Sequence, residues 1–361
     1  MTSFPFFLKN FAVNSSSDGG GGSGSSNSHL LHHPHRLFNL SSANNGSITS
    51  SNGLFRTTAL TNNGGEIFSR KVFVGGLPLD ITEETEEELL RAFRQFGELQ
   101  VQWPTKRVNQ GKKTLDGKPA GPGYAFIVFA DARSVGLLLS KCRREVTIPG
   151  EMTRRYFFSF SSQTVHNKAV QIRPWRHSDA IHTLRPELSV NARWIVFIGG
   201  LPRPTRAVDL FQVLVSLIGG GILHVGIDVD SELCYPKGAA RICFDRYASF
   251  VKAMAKQFVN IPDGDGGVKR VELKPYTLAD QPCDQCEGKM CGGQNAVYYC
   301  GNVSCLQYYC EPCWRQMHLS RDLYPNSQRY LHKPFVRMGE SDKAPPSLLK
   351  DTNLTVFAQY K

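Results

Sequence analysis

From Ile67 onward, the alternation of apolar and polar positions spells one series of elements twice. Residues 71–76, KVFVGG, are a β-branched and aromatic run stopped by glycines, which predicts a strand. Leu89, Leu90, Phe93 and Phe96 follow at helical spacing behind an acidic stretch, and acidic charge suits a helix N-terminus. A strand ending in VQW (101–103) leads into the long basic loop PTKRVNQGKKTLDGKPAGP (104–122) and a third strand, GYAFIVF (123–129). Val135, Leu138, Leu139 and Cys142 predict a second helix, and AVQIRP (169–174) a fourth strand.

The series then repeats. WIVFIGG (194–200) predicts a strand and RAVDLFQVLVSL (206–217) a helix whose apolar face carries Val208, Phe211, Leu214 and Val215. ILHVGID (222–228) and GAARICF (238–244) predict two strands, RYASFVKAMAKQFV (246–259) a helix, and VKRVELKP (268–275) the last strand. Two βαββαβ units with matched GGLP turns, at 75–78 and 199–202, predict an α+β chain of two tandem ferredoxin-like domains.

The expected plan is a low-complexity, disordered region at 1–66, a first unit at 67–176, a linker at 177–192 and a second unit at 193–277. A cysteine-rich module at 280–336 and a tail at 337–361 complete it. A linker of that length would let the two sheets close on one strand of a ligand. No apolar run approaches the roughly 18 residues of a membrane span. MTSFPFFLKNFAV is interrupted by Pro5, Lys9 and Asn10, and is expected to be neither signal peptide nor anchor.

Charge narrows the choice of partner. Against 31 acidic residues stand 42 Lys and Arg, a net +11, which favours a polyanion: RNA, DNA or an acidic membrane surface. Residues 122–129 match the third-strand signature of RNA-recognition motifs everywhere except at Pro122, where the signature has a basic residue. Period-two alternation puts Tyr124 and Phe126 on one side of that strand, with Phe73 beside them, and Ala125 and Ile127 on the other. Helices cover one face of such a sheet, so the three rings are expected to stack RNA bases on the open face. Lys106, Arg107, Lys112, Lys113 and Lys118 of the basic loop are expected to meet phosphates. Trp175, which follows Arg173 and precedes Arg176, reads either as a cover for a base or as a cap on the domain.

The second unit keeps Phe197 in the place of Phe73 but has Ala239 and Arg241 where the first has Tyr124 and Phe126. Two lost stacks cost roughly 2–6 kcal/mol of base-tolerant affinity. Lys237 supplies the basic residue missing from the first unit, so the expectation is a platform turned into a cationic clamp. A protein-docking domain and a plain spacer are the rival readings.

Seven of the ten cysteines fall between Cys283 and Cys313, a crowding that argues for metal rather than disulfides. Cys283/Cys286, Cys300/Cys305, Cys310/Cys313 and His318/His332 make eight ligands for two structural zinc ions. The alternation predicts a cross-brace: Cys283, Cys286, Cys310 and Cys313 on one ion, and Cys300, Cys305, His318 and His332 on the other. Cys291 is the odd thiol. About fifty residues bury too little core to fold securely alone, and metal binding of order 10–16 kcal/mol per site offsets that deficit.

These stretches resemble the cytoplasmic polyadenylation element-binding family: KVFVGGLP, GYAF, VQIRPW, FIGGLPRPTRAVDL, YPKGAAR, CDQC, LQYYCEPCW and HKP, in order through about residues 70–335. The resemblance implies two RNA-recognition motifs and a ZZ-type zinc domain, with binding to U-rich elements in mRNA 3′ untranslated regions. It implies control of cytoplasmic polyadenylation and translation, through regulators recruited by the zinc domain, and a mainly cytoplasmic ribonucleoprotein with room for nuclear shuttling. No nucleophile–base constellation or phosphate-cradling loop stands out, so a non-enzyme is expected. A ubiquitin ligase, which can use cross-braced zinc, and a nuclear splicing factor are the competing readings.

Overall fold

A computed structural model of the chain describes residues 66–105, 113, 117, 119–145, 155–203, 205–263, 266–319, 332–337 and 355–357. The low-complexity region up to residue 65 lies outside these, as do Lys106, Arg107, Lys112 and Lys118.

The first unit contains β1 (Lys71–Gly75), α1 (Glu86–Phe93), β2 (Leu99–Gln102), β3 (Tyr124–Phe129) and α2 (Arg133–Lys141). It continues with β4 (Arg143–Glu145), β5 (Arg155–Phe160) and β6 (Lys168–Arg173), and its sheet order is β2-β3-β1-β6-β5-β4. The β4–β5 pair is an addition to the expected unit. Its signal was legible in RYFFSF, where Tyr156 and Phe160 alternate inward and are 7% and 1% exposed. Val72, Val74, Leu89, Phe93, Ala125, Ile127 and Phe129 form the core between sheet and helices. In register, Phe73 lies opposite Phe126 on one side and Arg173 on the other.

The paired glycines of the GGLP turns have separate jobs. A Cβ on Gly75 would lie 2.5 Å from Cε1 of Phe73, so the ring rests on bare backbone there. Gly76 takes φ +73°, a left-handed conformation that glycine adopts without steric cost. Gly199 and Gly200 repeat both roles beneath Phe197, with a Cβ contact of 3.2 Å and φ +73°.

The second unit contains β7 (Ile181–Thr183), β8 (Ile195–Gly199), α3 (Ala207–Ile218), β9 (Ile222–Val229), β10 (Pro236–Phe244), α4 (Tyr247–Lys256), β11 (Phe258–Pro262) and β12 (Val268–Pro275). Its sheet order is β11-β12-β8-β10-β9-β7. The stretch expected as a free linker is therefore structured. His177–Ala180 form a 3-10 turn, β7 pairs with β9, and Val190 and Ala192 pack with Ile195, Leu223 and Cys243 in a small core of their own. Apolar side chains in a linker are buried wherever a neighbouring sheet offers an uncovered edge or face.

Helix α3 also differs from expectation. It buries Ala207, Leu210, Leu214 and Ile218, while Val208, Phe211 and Val215 are half-buried. AVDLFQVLVSLI is apolar nearly all round, so its periodicity leaves the inward face undetermined.

The cysteine module contains β13 (Tyr298–Cys300), β14 (Gln307–Tyr309), α5 (Glu311–Trp314) running into a π-type turn at Arg315–Leu319, β15 (Pro334–Arg337) and β16 (Thr355–Phe357). The order is β14-β13-β15-β16, so the stretch read as a tail contributes a strand, paired parallel to β15. Arg193 ties this module to the second unit. Its guanidinium donates to Gln281 at 2.9 Å and to Asp284 at 2.8 Å, and lies 5.0 Å from the Tyr308 ring centre. No helix among the described residues is long and apolar enough to cross a membrane.

Candidate nucleic-acid interface and metal centres

β1 and β3 set three rings on the open face of the first sheet. Phe73 stands 5.4 Å from Tyr124 and 5.6 Å from Phe126, centre to centre. Phe73 and Tyr124 remain partly exposed. The Arg173 guanidinium lies 5.1 Å from the Phe73 ring centre and is steadied by two bonds to Gln171, of 2.9 and 2.6 Å. Two partly exposed rings beside a fixed cation are the kind of surface on which bases stack and a phosphate is met.

Phe126 departs from the expected platform. It is only 8% exposed and joins the buried cluster of the second unit, where Tyr235 meets it edge-on at 5.9 Å and 80°. The ring expected to stack a base is thus enclosed, because a turn of the other domain lands on it. Trp175 is 3% exposed in the same cluster, the place of a cap rather than of a face open to a base.

On the second sheet, Phe197 is half-buried, with Arg241 and Lys274 as its neighbours in register. Arg241 is bonded to Asp228 on β9, by Nε at 2.9 Å and Nη2 at 2.8 Å, and Lys274 pairs with Glu272 at 3.1 Å. Arg241, one half of the expected cationic clamp, thus already faces a carboxylate, whereas Lys237, the other half, is exposed. The Ala239–Arg241 substitutions were legible, but the opposing Asp228 becomes a partner only through the β9–β10 register. Lys237 and Lys113 are exposed.

Between the first sheet and the second unit lies a cleft of about 860 Å³. Phe73, Tyr124 and Tyr235 line it, with Arg155, Arg173, Arg176, Arg203, Arg206 and Lys269 against the acids Glu66, Asp179 and Asp263. Cations therefore outnumber acids. Arg206 is held by Asp209 through bonds of 2.8 and 2.6 Å, and Arg176 lies 3.1 Å from Glu66. Burial raises the Asp179 carboxyl above its ordinary pKa, against the pull of Arg206 and Arg176. Arg155, Arg203, Arg206, Tyr235 and Lys269 were missed from sequence. Arg155 comes from an added strand, Lys269 from the exposed start of β12 and the others from turns or a helix entry, where residue type alone carries little signal.

The two predicted ligand quartets come together. The ligand atoms of Cys283, Cys286, Cys310 and Cys313 lie within 4.8 Å of one another, and so do those of Cys300, Cys305, His318 and His332. Cys305 Sγ is 3.7 Å from His318 Nε2 and 3.4 Å from His332 Nδ1, so these nitrogens face the second site. Trp314, 1% exposed, stacks on the His318 ring at 3.9 Å and 11°, which fixes the imidazole's orientation. Cys291 stands outside both quartets, 3.9 Å from Cys286. Four buried thiols at one site, and two thiols with two imidazoles at the other, fit closed tetrahedral zinc.

Residues 69–174 match the RNA recognition motif, and residues 269–338 match the cytoplasmic polyadenylation element-binding protein ZZ domain. The translational regulator orb2 of Drosophila melanogaster is 45% identical over 272 residues, which cover 75% of this chain and 35% of that protein. Cytoplasmic polyadenylation element-binding protein 1 of Caenorhabditis japonica is 42% identical over 287 residues, covering 78% of this chain and 44% of that protein. The chain thus spans less than half the length of these relatives. A solved sex-lethal protein/RNA complex aligns with 58% of this chain and 99% of its own at 19% identity and a TM-score of 0.21, too slight a likeness to carry an argument.

Proposed function

Because this chain belongs to the cytoplasmic polyadenylation element-binding protein family, we propose that it binds single-stranded, U-rich segments of mRNA 3′ untranslated regions and regulates their cytoplasmic polyadenylation and translation. The observation that carries this reading is the pair of partly exposed rings, Phe73 and Tyr124, at a cleft where cations outnumber acids. Successive bases stack on the two rings, and Arg173, Arg203 and Lys269 meet the backbone from the cleft walls, with Lys113 and Lys237 as outlying phosphate contacts. Phe197 offers one further ring on the second sheet. Stacking tolerates any base, so uridine preference follows from family membership and not from the rings.

Two zinc ions, one per quartet, would supply the cysteine module with tetrahedral cross-links. The module then presents a rigid surface to translation and polyadenylation regulators. The protein acts in the cytoplasm by recruitment, without catalysis of its own.

Fluorescence anisotropy of the full chain on U-rich and scrambled RNA, at two salt concentrations, tests this reading. U-rich RNA should bind more tightly, and Phe73→Ala should weaken it by about 1–3 kcal/mol. Arg241→Ala should leave the salt slope almost unchanged, because Asp228 already opposes that charge. Equal binding of both RNAs would overturn the selectivity.

A further inference from the structure

The turn between β9 and β10 is built to deliver one ring. The Asp230 carboxylate accepts from the backbone N–H of Glu232, Leu233 and Tyr235 at 3.2, 2.6 and 3.0 Å. The N–H of Asp230 in turn donates to the Tyr235 carbonyl at 3.0 Å. Cys234 takes a left-handed φ of +52°, which closes the turn. Rigid on its own account, the turn is also anchored to the first unit, where the hydroxyl of the fully buried Ser69 donates to the Leu233 carbonyl at 2.7 Å.

At its end, Tyr235 is 8% exposed with its ring against Phe126. Lys71 Nζ lies 4.6 Å from the Phe126 ring centre and 5.5 Å from that of Tyr235, and Arg203 stands 6.0 Å from Phe126. With Tyr235 set edge-on against Phe126 and Lys71 over the same ring, the space a base would need on Phe126 is filled. Burial pushes the Tyr235 phenol up to about 12, so it stays a neutral ring.

We propose that Tyr235 occupies on Phe126 the place of a base. The first sheet then stacks two bases, on Phe73 and Tyr124, and the second domain sets that number. The inference deepens the RNA-binding reading and rests on it. Tyr235 acts as a specificity-determining residue: it fixes the length of RNA the platform holds by remaining in place when RNA binds. Its removal uncovers a third ring.

Oligouridines of increasing length, titrated into the full chain, read this directly. Phe126→Leu keeps most of the volume and loses the π face. In the otherwise unchanged chain it should alter affinity by no more than about twofold, while Phe73→Leu weakens it about fivefold or more. In a Tyr235→Ala background, Phe126→Leu should cost about fivefold or more, and the shortest oligouridine bound at full affinity should lengthen by one nucleotide. Thermal melting of each variant shows whether it is folded.

Hydrogen exchange of the RNA-free chain reads the docking separately. Tyr235→Ala should expose the amides around Ser69, and unchanged protection there would overturn the proposed contact. Equal losses from Phe126→Leu and Phe73→Leu would mean that Tyr235 leaves on binding, and would sink this proposal alone. Failure of the unchanged chain to bind U-rich RNA would sink the RNA reading and this proposal together.

Discussion

Gly75 shows how a residue with no side chain can shape a binding face. The Phe73 ring lies across it, and an added Cβ would stand 2.5 Å from Cε1. Ring motion about χ1 relieves that clash more easily than backbone motion does, at a cost of order 1 kcal/mol. Gly75→Ala is therefore expected to change thermal stability little. It should weaken U-rich RNA binding by roughly 1 kcal/mol, because the tilted ring loses part of its stack. Calorimetry paired with anisotropy checks the split; a large stability loss would mean that the backbone yields first. At this scale the rings, the glycines and the two Cys/His quartets were legible, since each depends on residue type and spacing. Phe126 was read as open, and its burial depends on Tyr235, more than a hundred residues away in sequence.

The elements were legible where their pattern was periodic. The short β7 was not, because three residues of IHT carry too little alternation to read. Its pairing with β9 sets Thr183 beside His224, whose Nδ1 shares a hydrogen bond with the Thr183 hydroxyl at 2.7 Å. Burial first, then the charges of Arg241 and His182, lowers the His224 pKa to about 4. The unfolded chain, with an ordinary histidine pKa near 6.5, binds the proton first on acidification. The contribution is thus fully present above pH about 6.5 and is lost as pH falls toward 4, a change on the order of 3 kcal/mol. His224→Gln should flatten this part of the stability–pH profile in chemical denaturation. Any metal lost in acid is lost by both chains, so their difference isolates the imidazole. Parallel profiles would remove His224 as the cause.

The whole molecule joins two sheets and a cross-braced module through a few specific contacts: Tyr235 on Phe126, Ser69 on Leu233, and Arg193 on Asp284 and Tyr308. Structural zinc sites contribute roughly 10–16 kcal/mol each, more than a module of this size gains from its core. Chelation is expected to unfold the cysteine module while both sheets stay folded, since their cores contain none of the quartet residues. Circular dichroism and limited proteolysis would show a protected fragment ending near residue 280. Global unfolding would show instead that the Arg193 contact is essential to the second unit.

Local chemistry was enough to predict the two repeated units, the third-strand ring pattern and the two Cys/His quartets, because side-chain period, glycine turns and ligand spacing act over a few residues. Tertiary structure decided which rings stay open, which charges are already paired and whether the linker is free. Burial and Coulomb pairing depend on what the rest of the chain brings alongside. For Phe126, Arg241 and residues 177–192, those partners come from a turn, a neighbouring strand and a sheet edge that the local pattern does not contain.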